Sequence, residues 1–395
     1  MVYLLNKQGK NTKGLINFNS NEALFFRKKF IEILYRDEIN LLKKKYYFFM
    51  TWSWALRNES NIPYIDYHLA PIGGGSFANP QKNHIINYSS RNFIDKIFKR
   101  KNYKRIYDVI SVLRPTPEKG FKNLITAASK IYKRKNFIKF LIIFPMASDN
   151  DYYGQPNRYY TNLVSDYKKY IKEEHRKYFT LLPINTLNSN YMLHKEQMCN
   201  FYNLSKICIL PSIIEGGNRA VHEAMLCGCP IIYYKNVIGG VSDYMNKNNS
   251  ISYNSEIDMP RKIETAVKNY KKFNINQKET KQLVSEIYQI PKFKKVLKEI
   301  YKNDKENFDE NIDLSELDRK LDCHKVNLPI NLRTGIHSNN IKNFSSFYKY
   351  LCILLNKRPS LAKILIIKIF EKIFFSLRFL KYEIFYNKPK NKISK

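Results

Sequence analysis

Glu215 and Glu223 stand eight positions apart in the run Pro211-Ser212-Ile213-Ile214-Glu215-Gly216-Gly217-Asn218-Arg219-Ala220-Val221-His222-Glu223-Ala224-Met225. Carboxylates accept paired hydrogen bonds from vicinal hydroxyls, the groups a sugar or a ribose presents. Gly216 and Gly217 carry no side chain, so backbone N–H groups there can approach a ligand. The helix start that follows favours negative charge. The same run also reads as a helix whose acidic residues are merely solvated. A second block, Val112-Leu113-Arg114-Pro115-Thr116-Pro117-Glu118-Lys119-Gly120-Phe121, sets two cations at a strand end and in the next turn. Arg as a planar fork and Lys as a point charge suit a diphosphate. In a chain this basic the pair gains meaning only from its position.

The elements that must hold these residues alternate. Short apolar runs at 106–113, 140–144, 178–182, 207–210 and 230–234 read as strands. Helical spacing at 122–133, 159–177, 195–204 and 219–226 falls between them. Such βα alternation predicts a parallel, doubly wound sheet. Ligands in these sheets sit at the carboxyl ends of strands, which points to the loops after Leu113, Phe144 and Leu210. Residues 258–274 and 277–300 read as helices closing that domain. The first hundred residues carry weaker signals: a helix at 23–44, strands at 45–54 and 62–69, and a turn at Gly73-Gly74-Gly75.

Downstream of the glutamates come Cys227-Gly228-Cys229-Pro230, the apolar Ile231-Ile232-Tyr233, and Gly239-Gly240-Val241-Ser242-Asp243. Together with the Pro-Ser, the paired Glu and the Arg114…Lys119-Gly120 block, this resembles the signature of the family 4 (group 1) glycosyltransferases of GT-B fold. The likeness covers about residues 104–253. It implies an α/β chain with two Rossmann-type parallel-sheet domains, the N-terminal one reduced, plus a helical C-terminal extension. The expected layout is an acceptor-side domain at 1–102, a donor-binding domain at 103–302, a linker at 303–325 and a basic amphipathic tail at 326–395. The implied activity moves a hexosyl group from a nucleoside-diphosphate sugar to a glycan or lipid-linked acceptor in surface polysaccharide synthesis. It proceeds with retention, without metal and without a further cofactor.

The resemblance also implies roles. Arg114 and Lys119 contact the donor phosphates, Glu215 meets hydroxyls of the donor sugar, and Glu223 holds the ribose diol. The backbone around Gly216, Gly217, Asn218 and Arg219 lines sugar and phosphate. His68, in Asp66-Tyr67-His68-Leu69-Ala70-Pro71, is placed to orient a sugar hydroxyl or else is structural. Gly73 and Gly74 form either a phosphate approach or a plain turn. Asp149-Asn150-Asp151 has the Asp-x-Asp form of a cation site, but two carboxylates make a weak one, and no metal site is expected.

Composition bounds the alternatives. The chain has 395 residues, 44% of them hydrophobic, enough for two ordinary cores. No apolar run is long enough to span a bilayer, and the apolar stretch within Met1–Lys7 is too short for a secretory signal to be expected. Its six cysteines lack zinc spacing. A cytoplasmic enzyme, free or peripheral on the inner face of the cytoplasmic membrane, is therefore expected. The balance of 68 Lys and Arg against 34 Asp and Glu calls for an anionic partner. No helix-turn-helix, zinc or RNA-binding motif accompanies it, so no nucleic acid is expected. A basic nucleic-acid-binding protein and a catalytically impaired partner subunit stand as the alternative functions. From His324 onward, 15 Lys and Arg face two Glu. There, Ile366, Ile369, Phe370, Ile373, Leu377, Leu380 and Ile384 fall on one helical stripe, with Lys363, Lys368, Lys372, Arg378 and Lys381 beside it. This helix suits an anionic membrane interface, or packs against the protein itself.

Overall fold

A computed structural model describes residues 2–6, 12–19, 29–51, 63–70, 85–87, 94–146, 158–185, 194–215, 218–238, 240–309 and most of 345–373. The chain opens on strands β1 (Val2–Asn6) and β2 (Gly14–Asn19), helix α1 (Lys29–Lys45), and strands β3 (Tyr46–Thr51), β4 (Tyr67–Ala70) and β5 (Ile85–Asn87). These strands form one sheet in the order β1-β2-β3-β4-β5. β1 runs antiparallel to β2, and the other pairs are parallel. The strands expected at 45–54 and 62–69 are present, among the described residues, as Tyr46–Thr51 and Tyr67–Ala70. β1, β2 and β5 are additional, and their short, Asn-containing runs give little periodic signal.

The second sheet is built from β6 (Tyr107–Val112), β7 (Phe140–Met146), β8 (Phe179–Asn185), β9 (Ser205–Leu210), β10 (Ile231–Tyr234) and β11 (Ser250–Tyr253). Their order is β11-β10-β9-β6-β7-β8, and every pair is parallel. Helices α2 (Phe121–Lys133), α3 (Arg158–Tyr170), α4 (Lys195–Asn203), α5 (Arg219–Leu226) and α6 (Met259–Lys268) follow β6, β7, β8, β9 and β11, and a 3₁₀ turn at Gly240–Tyr244 follows β10. Val109, Ile110, Phe140–Phe144 and Ile207–Leu210 are almost wholly buried, as central strands covered on both faces require. Ile94 and Phe98, ahead of β6, pack in this same core.

Three helical expectations change. The helix read at 258–274 ends at Lys268, with a 3₁₀ turn at Tyr270–Lys272. The long helix read at 159–177 ends at Tyr170. Ile171 turns into the core, and Glu173–Tyr178 continues as a 3₁₀ segment with no buried residue. The stretch at 277–300 divides into α7 (Gln277–Val284) and α8 (Glu286–Asn303) at Ser285, whose backbone is extended. α8 was expected to close the second sheet. Instead its later half packs on the first: Phe293, Leu297, Ile300 and Tyr301 share a core with Leu15, Tyr47 and Phe49. Tyr301 Oη donates to the Lys13 carbonyl at 2.5 Å, and Lys13 Nζ pairs with Glu306 at 2.9 Å. Residues 293–306 are thereby fastened to the first sheet.

Candidate active site at the β6/β9 seam

The order of the second sheet decides where a ligand can sit. From β6 the chain steps outward through β7 to β8. It then returns to lay β9 on the other side of β6. Adjacent strands whose following loops leave in opposite directions open a crevice at their carboxyl ends. Here those loops carry Arg114 to Lys119 after β6 and Ser212 to Asn218 after β9. Two segments far apart in sequence are thus neighbours because of strand order alone.

The loops are tied rather than merely adjacent. Ile213 N–H donates to the Glu118 carbonyl at 2.9 Å, Glu215 N–H to Ile238 at 2.8 Å, and Ile238 N–H to Ile213 at 2.8 Å. The turn after β6 therefore holds the turn after β9, which in turn holds the turn after β10. Gly120 is indispensable to this closure. Its φ is +71°, and a Cβ there would lie 2.2 Å from the Pro211 carbonyl oxygen. The glycine of the Lys-Gly pair is what lets the two loops touch.

Within the seam Lys119 and Glu215 form an ion pair of 2.5 Å, with side chains only 10% and 13% exposed. Lys119 Nζ also donates to the Ile214 carbonyl at 3.2 Å. Ser212 Oγ donates to the same Glu215 oxygen, Oε2, at 3.2 Å. An ammonium has three hydrogens and a carboxylate four lone-pair positions. After these contacts the pair keeps a cationic donor and the second carboxylate oxygen for a ligand. Ser212 belongs to the quoted Pro-Ser, but its grip on Glu215 had no separate sequence signal.

Glu223 stands in a second cluster, on the buried side of α5. Tyr202 Oη, from α4, donates to its Oε2 at 3.1 Å, and Arg219 Nε lies 3.5 Å from its Oε1. Burial raises its carboxyl above the usual range, against the opposing pull of Arg219 and the Tyr202 bond. Sequence reasoning missed Tyr202, since an aromatic residue inside an amphipathic helix carries no mark of its partner. Asn218 caps α5, its Oδ1 accepting from Ala220 N–H at 2.8 Å. Next to Glu223, His222 packs its ring 4.5 Å from that of Tyr244. Burial lowers the imidazole to about 4, so it is neutral at ordinary pH.

Arg114 is exposed at the end of β6. His68 lies on β4 in register with Met50 and Ile85, in the first sheet rather than at the seam. Its side chain, like Gly73, Gly74, Gly216, Gly217 and Asp149-Asn150-Asp151, falls outside the described residues. Among the described residues no cluster of three or more His, Cys, Asp or Glu could hold a metal ion. Among them also, no helix is long and apolar enough to cross a membrane.

The sequence profile of the family described as glycosyl transferases group 1 matches residues 92–289, half of the chain and the whole of the seam. The chain belongs to the group 1 glycosyltransferases. Solved structures agree on the architecture. Sucrose-phosphate synthase from Thermosynechococcus elongatus superposes with a TM-score of 0.52 at 13% identity, over 73% of this chain and 74% of that one. HepE from Anabaena, in complex with UDP-glucose, gives 0.50 at 14%, over 68% and 76%. TarM gives 0.50 at 16%, over 72% of this chain and 54% of that one. At such identities the likeness establishes the fold: this glycosyltransferase is of GT-B type, with a helical C-terminal extension. No curated protein matches it in sequence.

Proposed function

We propose that this enzyme, a family 4 member within group 1, transfers a hexose from a nucleoside-diphosphate sugar to a glycan or lipid-linked acceptor. The observation that carries the reading is the Lys119–Glu215 pair, set at the strand-order reversal where a ligand belongs. Lys119 keeps a donor for a phosphate oxygen, and Arg114, at the same strand end, supplies a second cation. As the bond from the anomeric carbon to the phosphate oxygen breaks, the departing diphosphate takes the electron pair. Both cations stabilise that charge, and they do so most where water is excluded. Glu215 Oε1, which carries none of the bonds above, accepts from a hydroxyl of the donor sugar. Glu223 accepts from the ribose diol, positioned by Tyr202 and Arg219. Gly216, Gly217 and the start of α5 present backbone N–H groups to sugar and phosphate. HepE was solved with UDP-glucose, which makes a UDP-sugar the first donor to try.

The route is retaining and metal-independent. The acceptor hydroxyl attacks the face the diphosphate leaves and passes its proton to the leaving phosphate. No protein nucleophile is needed. His68 orients a sugar hydroxyl from the first domain, and Gly73 and Gly74 approach phosphate there. The enzyme serves surface polysaccharide synthesis, cytoplasmic and peripheral on the inner membrane face. Transfer from a panel of α-linked donors to extracted glycolipid tests this, with the product anomer read by NMR and EDTA present throughout. An α product formed in EDTA is expected. A β product, or activity restored only by a divalent cation, would overturn the route.

A further inference from the structure

The helix at residues 361–370 is oriented by what its inner face grips. Ile367 is fully buried. Lys363 Nζ pairs with both oxygens of Glu38 on α1, at 2.7 and 2.8 Å. Ser360 N–H donates to Tyr348 Oη at 3.2 Å, and the Tyr348 ring stacks on Tyr35 of α1 at 6.4 Å. Lys363, read from sequence as a cation flanking the apolar stripe, is instead turned inward and neutralised.

The outer face is correspondingly apolar. Leu361, Leu365, Ile366, Ile369 and Ile373 are 82, 60, 57, 50 and 53% exposed. At 3.6 residues per turn they occupy a single arc of roughly 140°. Phe370, expected on this stripe, is half-buried, while Leu361 and Leu365 extend it. A helix packed on a water-soluble surface ordinarily turns such residues in and its cations out. Lys368 and Lys372, both exposed, fall along one edge of the arc, and exposed Lys357 and Arg358 precede the helix.

We infer that this face docks on an anionic lipid surface, its aliphatic side chains at the acyl boundary and its lysines at the headgroups. Charge selects the occupant. A second copy of the chain would bring Lys368 and Lys372 against like charge, and residues 324–395 carry 15 Lys and Arg against two Glu. An anionic bilayer accepts both the apolar arc and its cationic edge. The inference rests on the proposed lipid-linked acceptor only for its purpose, because docking needs neither donor nor acceptor.

Co-sedimentation of the full chain with phosphatidylcholine vesicles, with and without phosphatidylglycerol, tests it. Partition onto the anionic vesicles is expected, falling as salt rises. Leu365→Glu with Ile369→Glu should weaken it at least about tenfold, since two exposed aliphatic anchors are lost. Leu361→Glu is the milder variant should the double one fold poorly. Lys368→Glu with Lys372→Glu should abolish the preference for phosphatidylglycerol. Four results would each overturn the inference: no partition by the native chain; partition unaffected by the apolar variants; concentration-dependent self-association through this face in place of vesicle binding; or a fall in melting temperature in the apolar variants without vesicle binding, which would mean the chain itself covers the face. Sugar transfer to a soluble acceptor, assayed alongside, reports the proposed activity separately.

Discussion

Lys119 Nζ lies 2.5 Å from Glu215 Oε2, joining the turn after β6 to the turn after β9 across 96 positions of sequence. Either charge left alone at this depth is poorly solvated. Glu215→Gln or Lys119→Met should therefore lower stability by about 3 kcal/mol. The double variant should lose less than the sum, with a coupling of about 1–3 kcal/mol. Urea unfolding of the four proteins reads this directly, and strictly additive losses would deny the pair its coupling.

Gly120→Ala attacks the same junction through the backbone. The residue must adopt a left-handed φ, and its Cβ would meet the Pro211 carbonyl at 2.2 Å. One loop must then retreat from the other. Stability should fall by about 2–4 kcal/mol, and donor affinity should fall with it, because Lys119 is the adjacent residue. A variant of native stability and native donor affinity would show that the loops do not need to touch.

Tyr202→Phe removes the hydroxyl that donates to Glu223 Oε2. Burial already raises the Glu223 carboxyl, and the Tyr202 hydrogen bond opposes that rise. The carboxyl should rise further, so donor binding should fail at higher pH than in the native enzyme as acid is added. A donor lacking the ribose 2′ and 3′ hydroxyls should respond equally weakly to both proteins. An unmoved acid limb would remove Glu223 from the diol.

These relationships differ in how legible the sequence made them. Strand alternation after residue 106 was written in continuous apolar runs, and the cations and glutamates in motifs at loop positions. Strand order was not written there, and only the return of β9 beside β6 joins Lys119 to Glu215. The Ser212 and Tyr202 bonds were illegible for the same reason, since each reaches a residue its own spacing does not name. The destination of α8 was hidden too. Its apolar positions Phe293, Leu297 and Ile300 fit either sheet by pattern, and only Leu15, Tyr47 and Phe49 opposite them select the first.

His222 gives the fold a pH limit. Its imidazole is lowered to about 4 by burial, against 6.5 when free. Between those values the unfolded chain binds a proton that the folded chain refuses. Its contribution is therefore intact above pH 6.5 and declines as the pH falls toward 4, by about 3 kcal/mol in all. His222→Phe cannot take up that proton. The difference in urea stability between native and variant proteins should change by about that amount across the window. A constant difference would contradict the assignment.

Every role assigned above depends on donor binding at the seam between β6 and β9. Its most direct test is the melting temperature of the native chain and of Lys119→Met against a panel of nucleoside-diphosphate sugars. A ligand that binds only the folded state raises that temperature by mass action. At least one nucleotide-sugar should raise it for the native chain, and Lys119→Met should abolish the rise while remaining folded. No rise with any donor, or an equal rise in the variant, would contradict the account.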